Sequence, residues 1–299
     1  MQQRVAGTVV TYRPDKAVLS ALLASIAPQV DDLLAVANDG ATWSLPLPEN
    51  ATLARQEKNL GLGGAYNLAA EWARGRGATY LLLLDQDSVP GPGMVLALIK
   101  AFTQPGPVAA AGPLWRDSRT GETGFFVRLA RLPLRQYRPA GDEITPVDFL
   151  ISSGSLVSLD ALNDVGPFDG TLFIEHVDTE WALRARAKGY RLYGVALARL
   201  DHAFGEAALT ASVFGLRHRF FLYPPERNYF LLRNSIALWR RPYVSWRWVR
   251  HDVRRTTLLM LLYLLCVPPR LQRLRFMFRA VRDGISMKNR NTWVDGARG

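Results

Sequence analysis

The stretch Tyr80-Leu81-Leu82-Leu83-Leu84-Asp85-Gln86-Asp87-Ser88, followed by Pro90-Gly91-Pro92-Gly93, decides the fold. Four consecutive leucines are too few for a helix, and turn residues bound them. They read as a parallel strand covered on both faces, in the middle of a sheet. In open α/β sheets ligands bind beyond the carboxyl ends of the strands, so Asp85 and Asp87 are expected to face a site. Residues i and i+2 on an extended chain point the same way. Two carboxylates so placed can share one hard cation, Mg²⁺ or Mn²⁺, with substrate phosphates completing its shell. The competing reading is a solvated turn without a ligand, because Asp, Ser, Pro and Gly are ordinary turn formers.

Upstream, Ala6-Gly7-Thr8-Val9-Val10-Thr11-Tyr12 reads as a β-branched strand ended by Pro14, after which Asp15 can cap an apolar-periodic helix through Ile26. Leu33 to Ala37 reads as a second strand, ending in Asn38-Asp39-Gly40. The β-α-β order implies a parallel sheet with right-handed crossovers, and it places Asp39 near Thr11 and Tyr12. Asn-Asp-Gly is equally an ordinary turn. The segment Asn59-Leu60-Gly61-Leu62-Gly63-Gly64-Ala65-Tyr66-Asn67 then leads into a helix to about Ala73. Glycines at a helix start let backbone amides approach an anion. A dinucleotide fingerprint fails here: Tyr66 occupies the third glycine position, and a polar Gln-Glu-Lys-Asn stretch separates the glycines from any strand.

Downstream, a helix is expected from Pro92 to Phe102 and a buried strand at Val108 to Gly112, with surface excursions over 115–146. Val147 to Val157, containing Ser152-Ser153-Gly154-Ser155, reads as a strand broken where something approaches the backbone closely. In Phe173-Ile174-Glu175-His176-Val177-Asp178-Thr179-Glu180-Trp181 a helix begins, acids early and bases late, as its dipole prefers. Asp178 as N-cap and Glu180 with Arg184 as an i,i+4 pair would explain that pattern structurally. Crowding Glu175, Asp178 and Glu180 into six residues also raises the proton affinity of one of them, which is how a general base arises. Leu192 to Ala196 is a further strand. His202, expected on the loop after it, is either a satisfied histidine or a third ligand beside Asp85 and Asp87.

The charge of +11 is unevenly spread over the 299 residues. From Leu216 onward there are 18 Lys and Arg against 4 Asp and Glu; before it there are 19 against 22. A near-neutral body with a strongly basic tail suggests two parts, the tail meeting an anionic surface. Helices are expected at Tyr229 to Trp239, Tyr243 to Val267 and Leu271 to Met287. Thr256 to Val267 is apolar but short of the roughly 20 residues a spanning helix needs, so an interfacial helix is expected, with Trp239, Trp246 and Trp248 at the boundary. Packing on the body or on a second copy, a homodimer, is the alternative. One cysteine, Cys266, excludes an internal disulfide framework and fits a reducing compartment. Met1-Gln2-Gln3-Arg4 leads straight into a strand pattern rather than an apolar leader, so the expected location is cytoplasmic, at the inner face of the cell membrane.

In this order the motifs resemble those of the family 2 glycosyltransferases with the GT-A fold, most closely bacterial rhamnosyltransferases that use dTDP-L-rhamnose, over roughly residues 5–205. The resemblance implies an α/β architecture, a Rossmann-like, mostly parallel sheet with flanking helices, in a catalytic domain at 1–215, followed by a basic helical extension at 216–299. It implies that Thr11, Tyr12 and Asp39 hold the nucleotide and that Asn59, Gly61 and Asn67 line the donor site. Asp85, at the donor, and Asp87 would bind a divalent metal, with His202 completing the set. Asp178 would be the catalytic base, with Glu180 beside it. Two positions depart from the family pattern: its Glu-Asp pair at the base is Val177-Asp178 here, and Glu180 stands where the family has Asp. The implied reaction is inverting transfer of L-rhamnosyl to a hydroxyl of a glycan or lipid-linked glycan in bacterial cell-surface polysaccharide synthesis. Another donor, such as UDP-galactofuranose or UDP-glucose, is the runner-up. A basic nucleic-acid-binding protein is the reading from another class, but the tail contains no recognisable nucleic-acid module, so no such partner is expected.

Overall fold

A computed structural model describes residues 3–40, 45–118, 120–128, 135–202, 207–213 and 216–287, with the side chains at 135 and 207–221 outside that description. Expectations touching the other positions, including the end of the basic tail at 288–299, lie outside the described residues. The chain forms two compact units, Met1–His202 and Ala203–Gly299. This boundary precedes the charge boundary at Leu216, because a hairpin that begins at Ala207 belongs to the second unit.

In the first unit, β1 (Val5–Thr11), α1 (Lys16–Ile26), β2 (Asp32–Ala37), β3 (Ala51–Arg55), α2 (Gly61–Gly75) and β4 (Tyr80–Asp85) alternate as the sequence predicts. Asp15 caps α1 by accepting from the amides of Ala17 and Val18. Strands β3, β2, β1 and β4 run parallel and adjacent in that order. The four leucines are each at most 1% exposed, which establishes the two-sided cover expected of a central strand. Each contributes about 1.5–3 kcal/mol by leaving water. Leu82 and Leu84 join Leu19, Leu22, Leu23 and Ile26 of α1 in one apolar cluster. Helix α2 packs against β1 and β4, burying Ala65, Tyr66, Ala69, Ala70 and Ala73. The register pairs Thr11 with Ala37 and Val10 with Asp85, so the carboxyl ends of three strands meet along one edge.

The rest of the sheet departs from a purely parallel plan. Strand β5 (Ser88–Pro90) is too short and proline-bearing to be legible as a strand, and α3 (Met94–Ile99) follows it as the core of the helix expected from Pro92. The excursions over 115–146 hold the end of β6 (Val108–Asp117), a small hairpin of β7 (Phe126–Arg128) with β8 (Arg135–Tyr137), and part of β9 (Ile144–Val147). The single broken strand expected at Val147 to Val157 is β9 and β10 (Leu156–Ser158), with a tight turn between them. Gly154 sits there at φ +82, and a Cβ would fall 2.5 Å from Pro113. Strand β10 inserts antiparallel between β4 and β6. After α4 (Leu159–Val165) and α5 (Val177–Ala187), β11 (Arg191–His202) runs parallel to β6 and antiparallel to β5 and β9. His202 therefore ends a strand, paired with Ser88, rather than lying on a loop after one.

The second unit contains the hairpin of β12 (Ala207–Val213) and β13 (Leu216–Leu222), then α6 (Pro225–Trp239), α7 (Trp246–Cys266) and α8 (Arg270–Ser286). Gly284 of α8 lies so close to α6 that a Cβ would fall 2.7 Å from the Arg233 carbonyl oxygen. Of the three tryptophans expected at a boundary, Trp246 is exposed. Trp248 lies on the buried face of α7 with Asp252, and Trp239, at the end of α6, is half-buried and donates to Asp252. No helix among the described residues is long and apolar enough to cross a membrane.

Candidate active site

Three ligand-type side chains gather at the carboxyl edge of the sheet. Asp85 ends β4, Asp87 follows on the turn into β5, and His202 ends β11 opposite Ser88. One atom from each lies within 4.8 Å of the others. Ligand atoms on opposite sides of an ion held at about 2.1 Å are roughly 4.2 Å apart, so a small rotation of an aspartate closes the set on one cation. Two carboxylates and an imidazole suit Mg²⁺ or Mn²⁺ in charge and hardness. His202 Nδ1 stands 3.5 Å from Asp87 Oδ1 and 2.7 Å from Ser88 Oγ.

The ends of β1 and β2 at this edge are held by side-chain clamps on the backbone. The Gln86 side chain accepts from Tyr12 N–H at 2.7 Å and donates to Tyr12 O at 3.1 Å, continuing the sheet beyond β1 with an amide side chain. This leaves the Tyr12 ring 47% exposed at the site's rim. Asp39 accepts from Arg13 N–H at 2.8 Å. Thr11 is fully buried and donates to the Val36 carbonyl at 3.2 Å, so its hydroxyl ties β1 to β2. Asn38 donates to Asn59 Oδ1 and accepts from Leu60 N–H, joining the end of β2 to the loop before α2. Gly61 adopts φ +70, and a Cβ would meet the Phe173 carbonyl oxygen at 2.6 Å. The glycine is thus required by close approach of the 173 segment. Asn67 turns away from the edge and clamps Phe168 through both its backbone N–H and its carbonyl, each at 2.9 Å.

Asp178 enters from α5. The N-cap of that helix is His176, in a left-handed conformation, and Asp178 is the second helical residue rather than the cap. Phe173, Glu175 and His176 all hold positive φ, a concentration of strain in three L-residues just before the carboxylate. Asp178 Oδ2 accepts from Ser152 N–H at 3.0 Å and Oδ1 from Thr179 N–H at 2.6 Å. Burial among Leu83, Leu150, Phe168 and Trp181 pushes its carboxyl up to about 6, with the charge of Glu175 adding to the rise and the two amides opposing it. Such a value suits a general base near neutral pH. Tyr66, fully buried, places its hydroxyl 3.2 Å from Asp85 Oδ1, and burial, then the charges of Asp85 and Asp178, hold that hydroxyl well above its ordinary pKa.

Glu180 does not join this group. Its carboxylate is fully buried and bidentate to Arg184, at 2.8 and 2.9 Å, while Arg184 also caps the carbonyls of Val165 and Pro167. The structure therefore brings Asp85, Asp87 and His202 together with Asp178 nearby across Tyr66, and it sets Asn67 and Glu180 to internal tasks. Sequence reasoning missed Tyr66, Gln86, Ser88 and Asn38. The Ser152-Ser153-Gly154 break was its only signal for the turn that touches both Asp85 and Asp178.

The mostly parallel sheet flanked by helices, with acids at its carboxyl edge, is of the GT-A type. Residues 28–166 match the model of Glycosyl transferase family 2, and the protein is a glycosyltransferase, rhamnosyltransferase-like in sequence. It is 26% identical over 250 residues to the dTDP-rhamnosyl transferase RfbF of Shigella flexneri, covering 82% of each chain. It is also 26% identical over 207 residues to the uncharacterized protein Rv1525 of Mycobacterium tuberculosis, covering 66% of this chain and 73% of the other. In fold it resembles S. aureus TarS (TM-score 0.56, 15% identity, 95% of this chain and 49% of that one). It also resembles GalNAc-T7, whose structure holds UDP, GalNAc and Mn²⁺ (TM-score 0.55, 12% identity, 85% of this chain and 54% of that one). The chain spans about half the length of these two structures, and at such identities they speak for the fold alone.

Proposed function

We propose that the protein is an inverting, divalent-metal-dependent transferase that moves L-rhamnosyl from dTDP-L-rhamnose to a hydroxyl of a glycan or lipid-linked glycan. The observation that carries this reading is the convergence of Asp85, Asp87 and His202 within 4.8 Å, with the raised carboxylate of Asp178 on the neighbouring helix. Glycosyl transfer passes through an oxocarbenium-like state, so the leaving group must be stabilised and the nucleophile deprotonated. Asp85, Asp87 and His202 would hold a Mg²⁺ or Mn²⁺ ion, which when bound supplies charge neutralisation for the leaving diphosphate. Tyr12 and Asp39 line the nucleotide side. Asp178 takes the acceptor's proton, and one base acting without a covalent intermediate gives inversion. Glu180 has no part in this chemistry, since its carboxylate is committed to Arg184.

The rhamnosyl donor rests on the likeness to RfbF, and UDP-glucose or UDP-galactofuranose are the alternatives. Incubation with each nucleotide sugar and Mn²⁺, with release of nucleoside diphosphate measured, separates them. Release from dTDP-L-rhamnose is expected, and release from a UDP-sugar alone would move the donor to the runner-up.

The C-terminal unit suits an anionic membrane surface, where a lipid-linked acceptor would lie. On α8, Leu271, Phe278 and Ile285 are 75, 70 and 56% exposed at seven-residue spacing, hence on one face, and Arg275, Arg279 and Arg282 stand beside them, also exposed. Apolar residues flanked by arginines match the boundary of an anionic bilayer. A second copy of this face would bring like charges together, so a homodimer through it is disfavoured.

A further inference from the structure

Three hydroxyls outside the chemistry proposed above stand directly behind its ligands. Tyr66, with no exposed surface, places Oη 3.2 Å from Asp85 Oδ1. Ser153 Oγ accepts from the Asp85 N–H at 3.1 Å and lies 2.5 Å from Ser88 Oγ, which in turn is 2.7 Å from His202 Nδ1. Tyr66 comes from α2, Ser88 from β5 and Ser153 from the turn before β10, so three separate elements converge on two ligands. Ser152, next to Ser153, gives its backbone N–H to Asp178.

Packing alone does not explain these groups. The Tyr66 ring meets Phe168 edge-on with centroids 5.5 Å apart, a task a phenylalanine would perform equally well. The hydroxyl is the additional feature. Burying a hydroxyl without a partner costs about 1–3 kcal/mol, and the Tyr66 hydroxyl meets two side chains, Asp85 and Ser152, the neighbour of Ser153. Ser88 is likewise fully buried, and its partners are the Ser153 hydroxyl and the His202 ring.

We propose that Tyr66 and Ser88 are positioning residues of the metal–diphosphate site: Tyr66 Oη–H holds one oxygen of Asp85, and Ser88, backed by Ser153, fixes the His202 ring through Nδ1. The inference rests on the function proposed above and deepens it. Partners behind metal ligands fix ligand orientation, and their loss typically weakens metal binding about 10–100-fold.

The test uses the full chain with Tyr66→Phe and Ser88→Ala. Mn²⁺ binding with and without dTDP is read from loss of the free-Mn²⁺ electron paramagnetic resonance signal, dTDP binding is read by calorimetry, and each variant is melted. Both variants are expected to bind Mn²⁺ in the presence of dTDP about 10–100-fold more weakly than the parent, while still melting cooperatively. dTDP affinity measured without Mn²⁺ is expected to stay at the parent value. Parent-like Mn²⁺ affinity in Tyr66→Phe, which keeps the packed ring, overturns the proposal. So does an equal loss of dTDP affinity with and without Mn²⁺, which would mean general loosening. A parent protein that binds neither Mn²⁺ nor any nucleoside diphosphate is a different result, and it refutes the proposed function itself.

Discussion

Replacing Asp178 with asparagine removes the proposed base while keeping its size. A positioned general base contributes about 10²–10⁴ in rate. At about 1.4 kcal/mol per tenfold, that corresponds to roughly 3–5.5 kcal/mol of barrier. The wild-type carboxyl is pushed up to about 6, chiefly by burial, so its ionised fraction falls as pH drops through 6. A base works only when ionised; kcat/KM of the parent should therefore decline about tenfold per pH unit below 6. The asparagine variant should lose 10²–10⁴ in kcat at neutral pH, keep donor affinity and lose this limb. It also changes the fold locally. Asp178 accepts separate N–H groups on its two oxygens, and an amide offers one acceptor, so one amide is left unsatisfied at a cost of about 1–3 kcal/mol. A thermal melt beside the assay keeps the two effects apart. A folded variant with more than a tenth of the parent kcat, or one whose kcat/KM still falls below pH 6, would refute the assignment.

Asp87→Ala should abolish the Mn²⁺-dependent part of donor binding, and equal donor affinity in mutant and parent with Mn²⁺ present would remove Asp87 from the site. Glu180→Gln should cost about 3–5 kcal/mol of stability, because it leaves Arg184 buried without its counter-ion, while the folded fraction keeps near-normal kcat. A stable variant with lost turnover would return Glu180 to the chemistry. The intact protein should co-sediment with anionic vesicles but not neutral ones, less so as salt rises, and Phe278→Ser with Arg279→Glu should weaken this at least tenfold. Unchanged sedimentation, or a salt-stable dimer by light scattering, would make the α8 face a protein contact.

The central strand was legible because four leucines between turn residues allow little else, and their complete burial follows from a position between two covered faces. The acidic pair was legible for a related reason: Asp85 ends that strand and Asp87 follows it by two residues. Residues whose role depends on long-range contact were not. Tyr66 reads in sequence only as a large residue among glycines, and its meeting with Asp85 depends on how α2 lies against β4. Glu180 misled because an acid beside a base candidate looks the same in sequence whether it faces solvent or a buried Arg184 four residues on. Ser88 looked like turn chemistry, since three residues ending in proline give no strand pattern, yet pairing with β11 sets its hydroxyl on His202.

The central claim is a metal-assisted nucleotide-sugar site at the edge formed by Asp85, Asp87 and His202. Calorimetric titration of dTDP-L-rhamnose, UDP-glucose and UDP-galactofuranose, each with Mn²⁺ and again with chelator, tests it most directly. The account predicts that dTDP-L-rhamnose binds most tightly and that chelator weakens its binding. Absence of binding by every nucleotide sugar, or affinities that do not change when Mn²⁺ is removed, would contradict it.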